Sequence, residues 1–425
     1  MRRFGDGLAT GPDLVGASHE ATARALDPLE GVPPDLVAVF VCGGEADEIA
    51  AAAEAVTERS GARHVIGCTA GGVIGDSRGV EDERGVSVWA GVLPGVRLRA
   101  FHLETFRTDD SLAVLGMPDP MPDDAVGVLL ADPYSFPADS FVERSNEVMP
   151  GLTFVGGLAD GPHGSGSTRL FSDGTTHERG AVGVLLGGLE DAGVSVWPLV
   201  SQGCRPVGPS MVVTRSDGNV LQELAGVPAY RKLEEVVAEL PPEDQDLVTH
   251  GLHVGIAMDE YADEHEHGDF LIRGVLGGDP DVGALAVGDV VEVGRTVRFQ
   301  VRDAQAAEAD LAGTLARFRG RAARVEGALL VSCNGRGSTL FPTADHDVQA
   351  VRKGLGTGGV AGFFAAGEIG PVGGRNHLHG FTASMLAFGA AGPAFGEAGA
   401  NGGPGADGGL GADGGSGADG GGHRG

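Results

Sequence analysis

Apolar positions along this chain fall in short unbroken runs, each ended by glycines and separated by stretches of helical spacing. The first such run, 36–41, ends at Cys42-Gly43-Gly44 and is followed by an Ala-rich helical stretch from Glu45 to about Arg59. A second short run, His64-Val65-Ile66, leads into the glycine turn Gly67-Cys68-Thr69-Ala70-Gly71-Gly72, and a further strand is expected over 85–90. Unbroken apolar runs bounded by turn residues read as strands buried on both faces. The pattern therefore predicts a unit of strand, helix, strand, glycine turn and strand.

That unit recurs. Its second copy has an apolar run at 125–131, a helix over about 138–148, the segment Thr153-Phe154-Val155-Gly156-Gly157-Leu158-Ala159-Asp160-Gly161 and a strand at 181–186. The third has a run at 327–333, a helix near 345–355, and Val360-Ala361-Gly362-Phe363-Phe364-Ala365-Ala366-Gly367-Glu368. Cys42 and Gly67 are 25 positions apart, as are Ala131 and Gly156, while Cys333 and Gly362 are 29 apart. Identity between the copies is weak, but the pattern is consistent. Glycines after a buried strand permit positive φ and close backbone approach, and such turns are expected at one rim of a sheet, where ligands often bind.

Between the second and third copies the pattern changes. A helix is predicted from Val227-Pro228-Ala229-Tyr230 through Leu240, stopped by Pro241-Pro242. Strands follow, with 290–293 and 296–301 the clearest. The fold class expected is α/β (mixed α+β), with repeated units forming mixed sheets in two associated domains. The expected divisions are a lead-in at 1–34, an N-terminal domain at 35–225, a C-terminal domain at 226–388 and a tail at 389–425. Gly-Ala-Asp-Gly-Gly recurs at 405–409, 411–415 and 417–421 in that tail. A segment of this composition has almost nothing to bury and is expected to be disordered.

Composition narrows the functional classes. The 425 residues carry 59 acidic against 30 basic side chains, a net charge of -29. Such a surface repels phosphate backbones and anionic bilayers, which argues against nucleic acid or membrane as partner. Arg2 and Arg3 have no apolar run behind them, so no secretory signal is read, and a cytoplasmic location is expected. The four cysteines, Cys42, Cys68, Cys204 and Cys333, show no CxxC spacing. They suit free thiols in a reducing compartment. The sequence implies no cofactor.

Several segments resemble the FIST family. His64-Val65-Ile66-Gly67-Cys68-Thr69-Ala70-Gly71-Gly72-Val73-Ile74-Gly75 is similar to the signature of the FIST N domain, and Ser201-Gln202-Gly203-Cys204-Arg205-Pro206-Val207-Gly208 to its closing strand. Phe270-Leu271-Ile272-Arg273-Gly274-Val275-Leu276-Gly277, Cys333-Asn334-Gly335-Arg336-Gly337 and Gly362-Phe363-Phe364-Ala365-Ala366-Gly367-Glu368-Ile369-Gly370-Pro371 resemble FIST C. The resemblance spans roughly 35–388. It implies a sensory module of prokaryotic signal transduction, proposed to bind small ligands such as amino acids; in eukaryotes the family occurs in F-box proteins. Some relatives carry kinase, cyclase or chemotaxis output domains. The 34 residues before the first strand are too few for one, so any signalling output is expected from a partner protein.

The foremost candidate site is Cys333-Asn334-Gly335-Arg336-Gly337. Arginine offers a planar fork suited to a carboxylate, and flanking glycines admit a ligand to the backbone. The bland alternative is a turn whose arginine pairs with a structural acid. Gly367-Glu368 places a carboxylate near the same rim, to meet a ligand ammonium or to neutralise Arg336. Asn376 and His377 add polar groups. His377 and His379 share one face of a strand, but no matching Cys or His pair supports a metal site. His265 and His267 are expected in a solvated acidic loop. Cys68-Thr69 and Gly157 with Asp160 mark the equivalent turns of the N-terminal half, explicable by turn geometry alone. The ligand expected is an amino acid or other small carboxylate. Two alternatives stay open: a thiol enzyme with Cys333 as nucleophile and His377 or His379 as base, and a protein-interaction module without a small ligand.

Overall fold

Residues 1–107, 112–262, 265, 268–319 and 324–390 are described by the computed structural model. Its first unit opens with edge strand β1 (Arg3–Thr10) and helix α1 (Leu14–Leu26). The expected β2 (Leu36–Cys42), α2 (Ala46–Ser60) and β3 (His64–Thr69) follow. A hairpin of β4 (Gly72–Gly75) and β5 (Arg78–Glu81) precedes the closing strand β6 (Gly85–Val92). The segment before residue 35 is thus part of the first sheet.

The second unit has edge strands β7 (Arg97–Arg107) and β8 (Leu112–Leu115), then β9 (Asp124–Ala131), α3 (Ala138–Val148) and β10 (Thr153–Leu158). Its hairpin is β11 (Leu170–Ser172) with β12 (Thr175–His177), and β13 (Ala181–Gly187) closes it.

The third unit opens on β14 (Val194–Gln202) and is then interrupted by a separate sheet. That sheet contains β15 (Cys204–Asp217), β16 (Val220–Leu224), β17 (Val227–Pro228), β18 (Leu252–Ala257), β19 (Phe270–Asp279), β20 (Ala284–Val287) and β21 (Thr296–Arg302). Helices α4 (Ala229–Glu239) and α5 (Pro242–Gly251) lie between β17 and β18. The sheet runs unbroken across residue 225. Residues 290–293, expected as a strand, form the loop before β21. Val290 and Val293 are exposed and only Val291 is buried, so the alternation there reflects no sheet face.

The third unit resumes with α6 (Ala304–Arg319), β22 (Val325–Cys333), the single turn α7 (Gly337–Leu340), α8 (His346–Leu355) and β23 (Gly359–Ala365). Hairpin β24 (Glu368–Val372) with β25 (Arg375–His379) and closing strand β26 (Thr382–Ala390) complete it. Because β26 includes Gly389 and Ala390, the strand overruns the expected start of the tail. The remainder of the expected tail lies outside the described residues.

The same strand order appears three times: β1-β6-β2-β3, β7-β13-β9-β10 and β14-β26-β22-β23. In each, two parallel strands flank a crossover helix and the closing strand runs antiparallel. Each unit then gives its hairpin to a neighbour. β4 pairs with β23, β11 with β3, and β24 with β10, a closed cyclic exchange.

The parallel strands are apolar on both faces because both are covered. One face contributes to a core shared by all three units, with Phe40, Val128, Val331, Phe363 and Phe388 among its members. The other faces lie under α1 and α2, under α3, and under α6 and α8. Gly67, Gly156 and Gly362 occupy the same place in their units. A Cβ there would stand 2.0, 1.9 and 1.6 Å from the carbonyl oxygens of Val39, Leu129 and Leu330 on the paired strand. Among the described residues, no helix is long and apolar enough to cross a membrane.

Candidate functional site

The carboxyl ends of the parallel strands meet where the hairpins cross from unit to unit. The Asp160 backbone N–H donates to the Thr69 carbonyl at 3.1 Å, and the Leu158 N–H donates to the Gly367 carbonyl at 2.8 Å. Asn334 Nδ2 donates to Asp160 Oδ2 at 2.7 Å. Gly157 stands opposite Glu368 in the β10–β24 pairing, and a Cβ on it would approach the Gly367 carbonyl. Thr69, Gly157, Asp160, Asn334, Gly367 and Glu368, dispersed along the sequence, thus belong to one rim. Cys68, at the end of β3, points into the shared core.

Beside this rim lies a cluster of buried charge. Cys333 ends β22, the Asn334-Gly335 turn follows, and the Arg336 N–H donates back to the Cys333 carbonyl at 2.9 Å. The Arg336 side chain is wholly buried. Its Nε and Nη2 donate to Asp347 Oδ2 and Oδ1 at 2.7 and 2.9 Å, a bidentate pair. Asp347, in the first turn of α8, also accepts from Ser332 Oγ at 2.7 Å and lies 3.0 Å from His346 Nδ1. Burial works to raise the Asp347 carboxyl, but the Arg336 charge and these hydrogen bonds overcome it and hold the group well below the usual carboxylate range. Arg336 Nη1 has no hydrogen-bond partner; the guanidinium tip lies against Gly203, where a Cβ would come 2.9 Å from it.

Glu368 is equally buried. Its Oε2 accepts from the Thr382 N–H at 3.0 Å and from Thr382 Oγ1 at 2.9 Å, while Oε1 has no partner. Burial pushes this carboxyl up to about 8, against the lowering effect of Thr382, Cys333 and Arg336. At neutral pH it is therefore mainly a neutral acid, able to donate as well as accept. No ion pair joins it to Arg336; Asp347 carries out that neutralisation. Burial, reinforced by Glu368, also pushes the Cys333 thiol well above its ordinary value, which keeps it from the thiolate that nucleophilic chemistry needs.

Phe381 borders the cluster with φ of +62°, a left-handed conformation rare for an aromatic residue. Its ring packs against His253, with centroids 4.2 Å apart, and beneath the Arg302 guanidinium at 5.4 Å. A Cβ on Gly335 would strike that ring at 2.5 Å, which accounts for glycine there.

Asn376 and His377 stand apart from this cluster. The Asn376 side chain spends its capacity on structure: it accepts from the Phe154 N–H at 2.9 Å and donates to the Leu152 carbonyl at 2.9 Å and to Ser145 Oγ at 3.2 Å. His377 lines a separate cleft of about 560 Å³ between α3, β25 and the interrupting sheet. Burial, with Arg375 and Arg273 adding to it, pushes its imidazole down to about 4. His379 is buried, with Nε2 3.0 Å from the Gly370 carbonyl. Among the described residues no group of His, Cys, Asp or Glu is disposed to hold a metal ion. His267 lies outside those residues, while His265 Nε2 sits 2.8 Å from the Asp259 carbonyl.

Two participants were not singled out in the sequence. Asp347 reads there as an ordinary acid at a helix start, where the dipole alone explains it. Thr382 ends the polar segment 375–382, with nothing local to mark it as a partner of Glu368.

Comparison with known proteins agrees with this architecture. The chain matches the FIST N domain over residues 35–227 and the FIST C domain over 229–371. It is 43% identical over 390 residues to the uncharacterized protein Rv0628c of Mycobacterium tuberculosis, covering 91% of this chain and 99% of that one. It is 42% identical over 390 residues to the uncharacterized protein Mb0898c of Mycobacterium bovis, covering 91% and 98%. With both domains matched in order and relatives similar along nearly their whole length, this chain belongs to the FIST family, whose domains are associated with sensing and signal transduction.

Proposed function

We propose that this chain is a small-ligand sensor and that its ligand is a small carboxylate held at the buried rim cluster. The observation that carries this reading is a pair of orphaned atoms. Arg336 Nη1 and Glu368 Oε1 are both buried without a hydrogen-bond partner, and buried polar groups left so are costly. A carboxylate would satisfy both, one oxygen accepting from Nη1 and the other from the protonated Glu368. A neutral Glu368 is a better partner for a carboxylate than for an ammonium group. This favours simple carboxylates over zwitterions and narrows the expectation of an amino acid.

Protonation makes the reading testable. Binding of a carboxylate identified by a thermal-shift screen is expected to weaken as pH rises through about 8, where Glu368 loses its donor proton. Glu368→Gln supplies a neutral donor at every pH, so it should bind and lose that dependence. Arg336→Lys should weaken binding by tenfold or more, since an ammonium cannot hold Asp347 bidentately and reach a ligand as well. Titration calorimetry from pH 6 to about 9.5, with melting curves to check folding, reads all three. Binding independent of pH in the parent, or unchanged in Arg336→Lys, would sink this site. Retained binding in Cys333→Ala would also set aside the thiol-enzyme alternative.

A further inference from the structure

We propose that Phe381 is the gate of the rim cluster, closed in this structure and opened by a swing of the Gly380-Phe381 link that carries its ring off Gly335. Its role in admitting a carboxylate rests on the reading above; the movement itself does not.

Phe381 borders each member of the cluster. Its ring lies against Gly335, in the turn between Cys333 and Arg336. A Cβ on Gly203 would strike both the Phe381 carbonyl and Arg336 Nη1, which sets that carbonyl beside the unpartnered nitrogen. Burial raises the Cys333 thiol, and the Phe381 N–H beside it works the other way. The next residue, Thr382, holds Glu368 through its N–H and hydroxyl. Arg336, Glu368, Cys333 and Thr382 are buried, whereas Gly335 and Phe381 are half-buried. Glycine has no side chain to offer, so the cover over that turn is the Phe381 ring, flanked by Arg302.

The residue is also placed to move. An aromatic side chain at φ of +62° keeps that left-handed backbone because its surroundings compel it. The ring packs on Cys204, Ala257, Phe270 and Ile272, meets His253 edge-on and lies under Arg302. All six belong to the interrupting sheet, so closure joins that sheet to the third unit. Burial pushes the His253 imidazole down to about 4, so at neutral pH it meets the ring uncharged. Gly380 stands in open space, where a Cβ would meet the Ile272 carbonyl at 3.8 Å. Gly380-Phe381 is the link between β25 and β26, and both strands are fixed by their pairing with β24 and β22. A short link with a loosely packed glycine between two fixed strands is where rotation concentrates.

Cys333 reports opening, because its sulfur lies under this cover and an alkylating reagent reaches it when the cover lifts. The full chain is treated with iodoacetamide, and alkylation of each cysteine is followed by peptide mass spectrometry. Phe381→Ala is expected to speed alkylation of Cys333 about tenfold or more. Cys68, buried in the shared core, should keep the parent rate. Phe381→Leu keeps apolar bulk but gives up the ring contacts to His253 and Arg302; it should also speed Cys333, and it decides alone if Phe381→Ala fails to fold. Cys333 and Cys68 accelerating together would show a fold loosened throughout, which overturns the gate. A Cys333 rate that neither substitution changes overturns it as well. No carboxylate enters this experiment, so a gate that fails leaves the ligand reading standing, and a failed carboxylate titration leaves the gate standing.

Discussion

Arg336 and Glu368 illustrate how unlike two buried charges can be made by their neighbours. Arg336 has its counter-ion in its own unit, so it stays charged; Glu368 has no ion-pair partner, and burial keeps its proton on against the lowering effect of Thr382, the Cys333 thiol and the Arg336 charge. Breaking a buried pair strands its partner, and Asp347→Asn is expected to cost about 3–5 kcal/mol in urea unfolding. A loss below about 1 kcal/mol would show the pair to be replaceable. The two carboxyls also set opposite pH limbs. Asp347 is lower in the folded state than in the unfolded one, so its contribution is present above the ordinary carboxylate range and lost as pH falls. Glu368 is raised from 4.5 to about 8, so its contribution is full below 4.5 and is lost as pH rises through about 8. Glu368→Gln should flatten that alkaline limb and leave the acid limb intact. Arg336 and Glu368 were legible in the sequence as charges set among glycines. Asp347 was not, since nothing local tells an acid at a helix start from a ligand to an arginine 11 positions upstream.

At the scale of elements, the repeated strand-helix-strand pattern was legible because parallel strands covered on both faces leave unbroken apolar runs. The recurrent glycine had a physical cause as well, since Gly67, Gly156 and Gly362 all abut a carbonyl of the neighbouring strand. Gly362 is the tightest of the three. Gly362→Ala is expected to cost roughly 1–3 kcal/mol or more, because backbone rather than a flexible side chain must yield. Gly274, in β19, has nothing within 4 Å of a notional Cβ. Gly274→Ala is the control and should be near neutral; equal losses at both sites would remove close approach as the reason for the repeat's glycine. What stayed illegible were elements made by context. β1 carries Gly5, Asp6 and Gly7 in place of an unbroken apolar run, so Gly11-Pro12 marks a turn after no recognisable strand, and the alternation at 290–293 mimics a strand in a loop that lines a cleft.

The exchange of hairpins decides how the molecule can come apart. No local signal announces it, because β4, β11 and β24 pair with strands far away in sequence. Its consequence is strongest at the junction of the two family domains. A cut at 225 leaves β23 without β4, which lies in the N-terminal piece, and β10 without β24, which lies in the C-terminal piece. It also divides the interrupting sheet, separating β16 from β17 and β15 from β21. Each piece would expose the edges of three sheets and its part of the shared core, and unpaired apolar edges favour aggregation over folding. Residues 1–225 and 226–425 expressed alone should therefore be poorly soluble or melt without cooperativity. Co-expressed, they should assemble into a soluble complex with one cooperative transition, because every exchanged strand then finds its place. Two fragments that each melt cooperatively alone would mean that the exchanged hairpins decorate domains already stable without them.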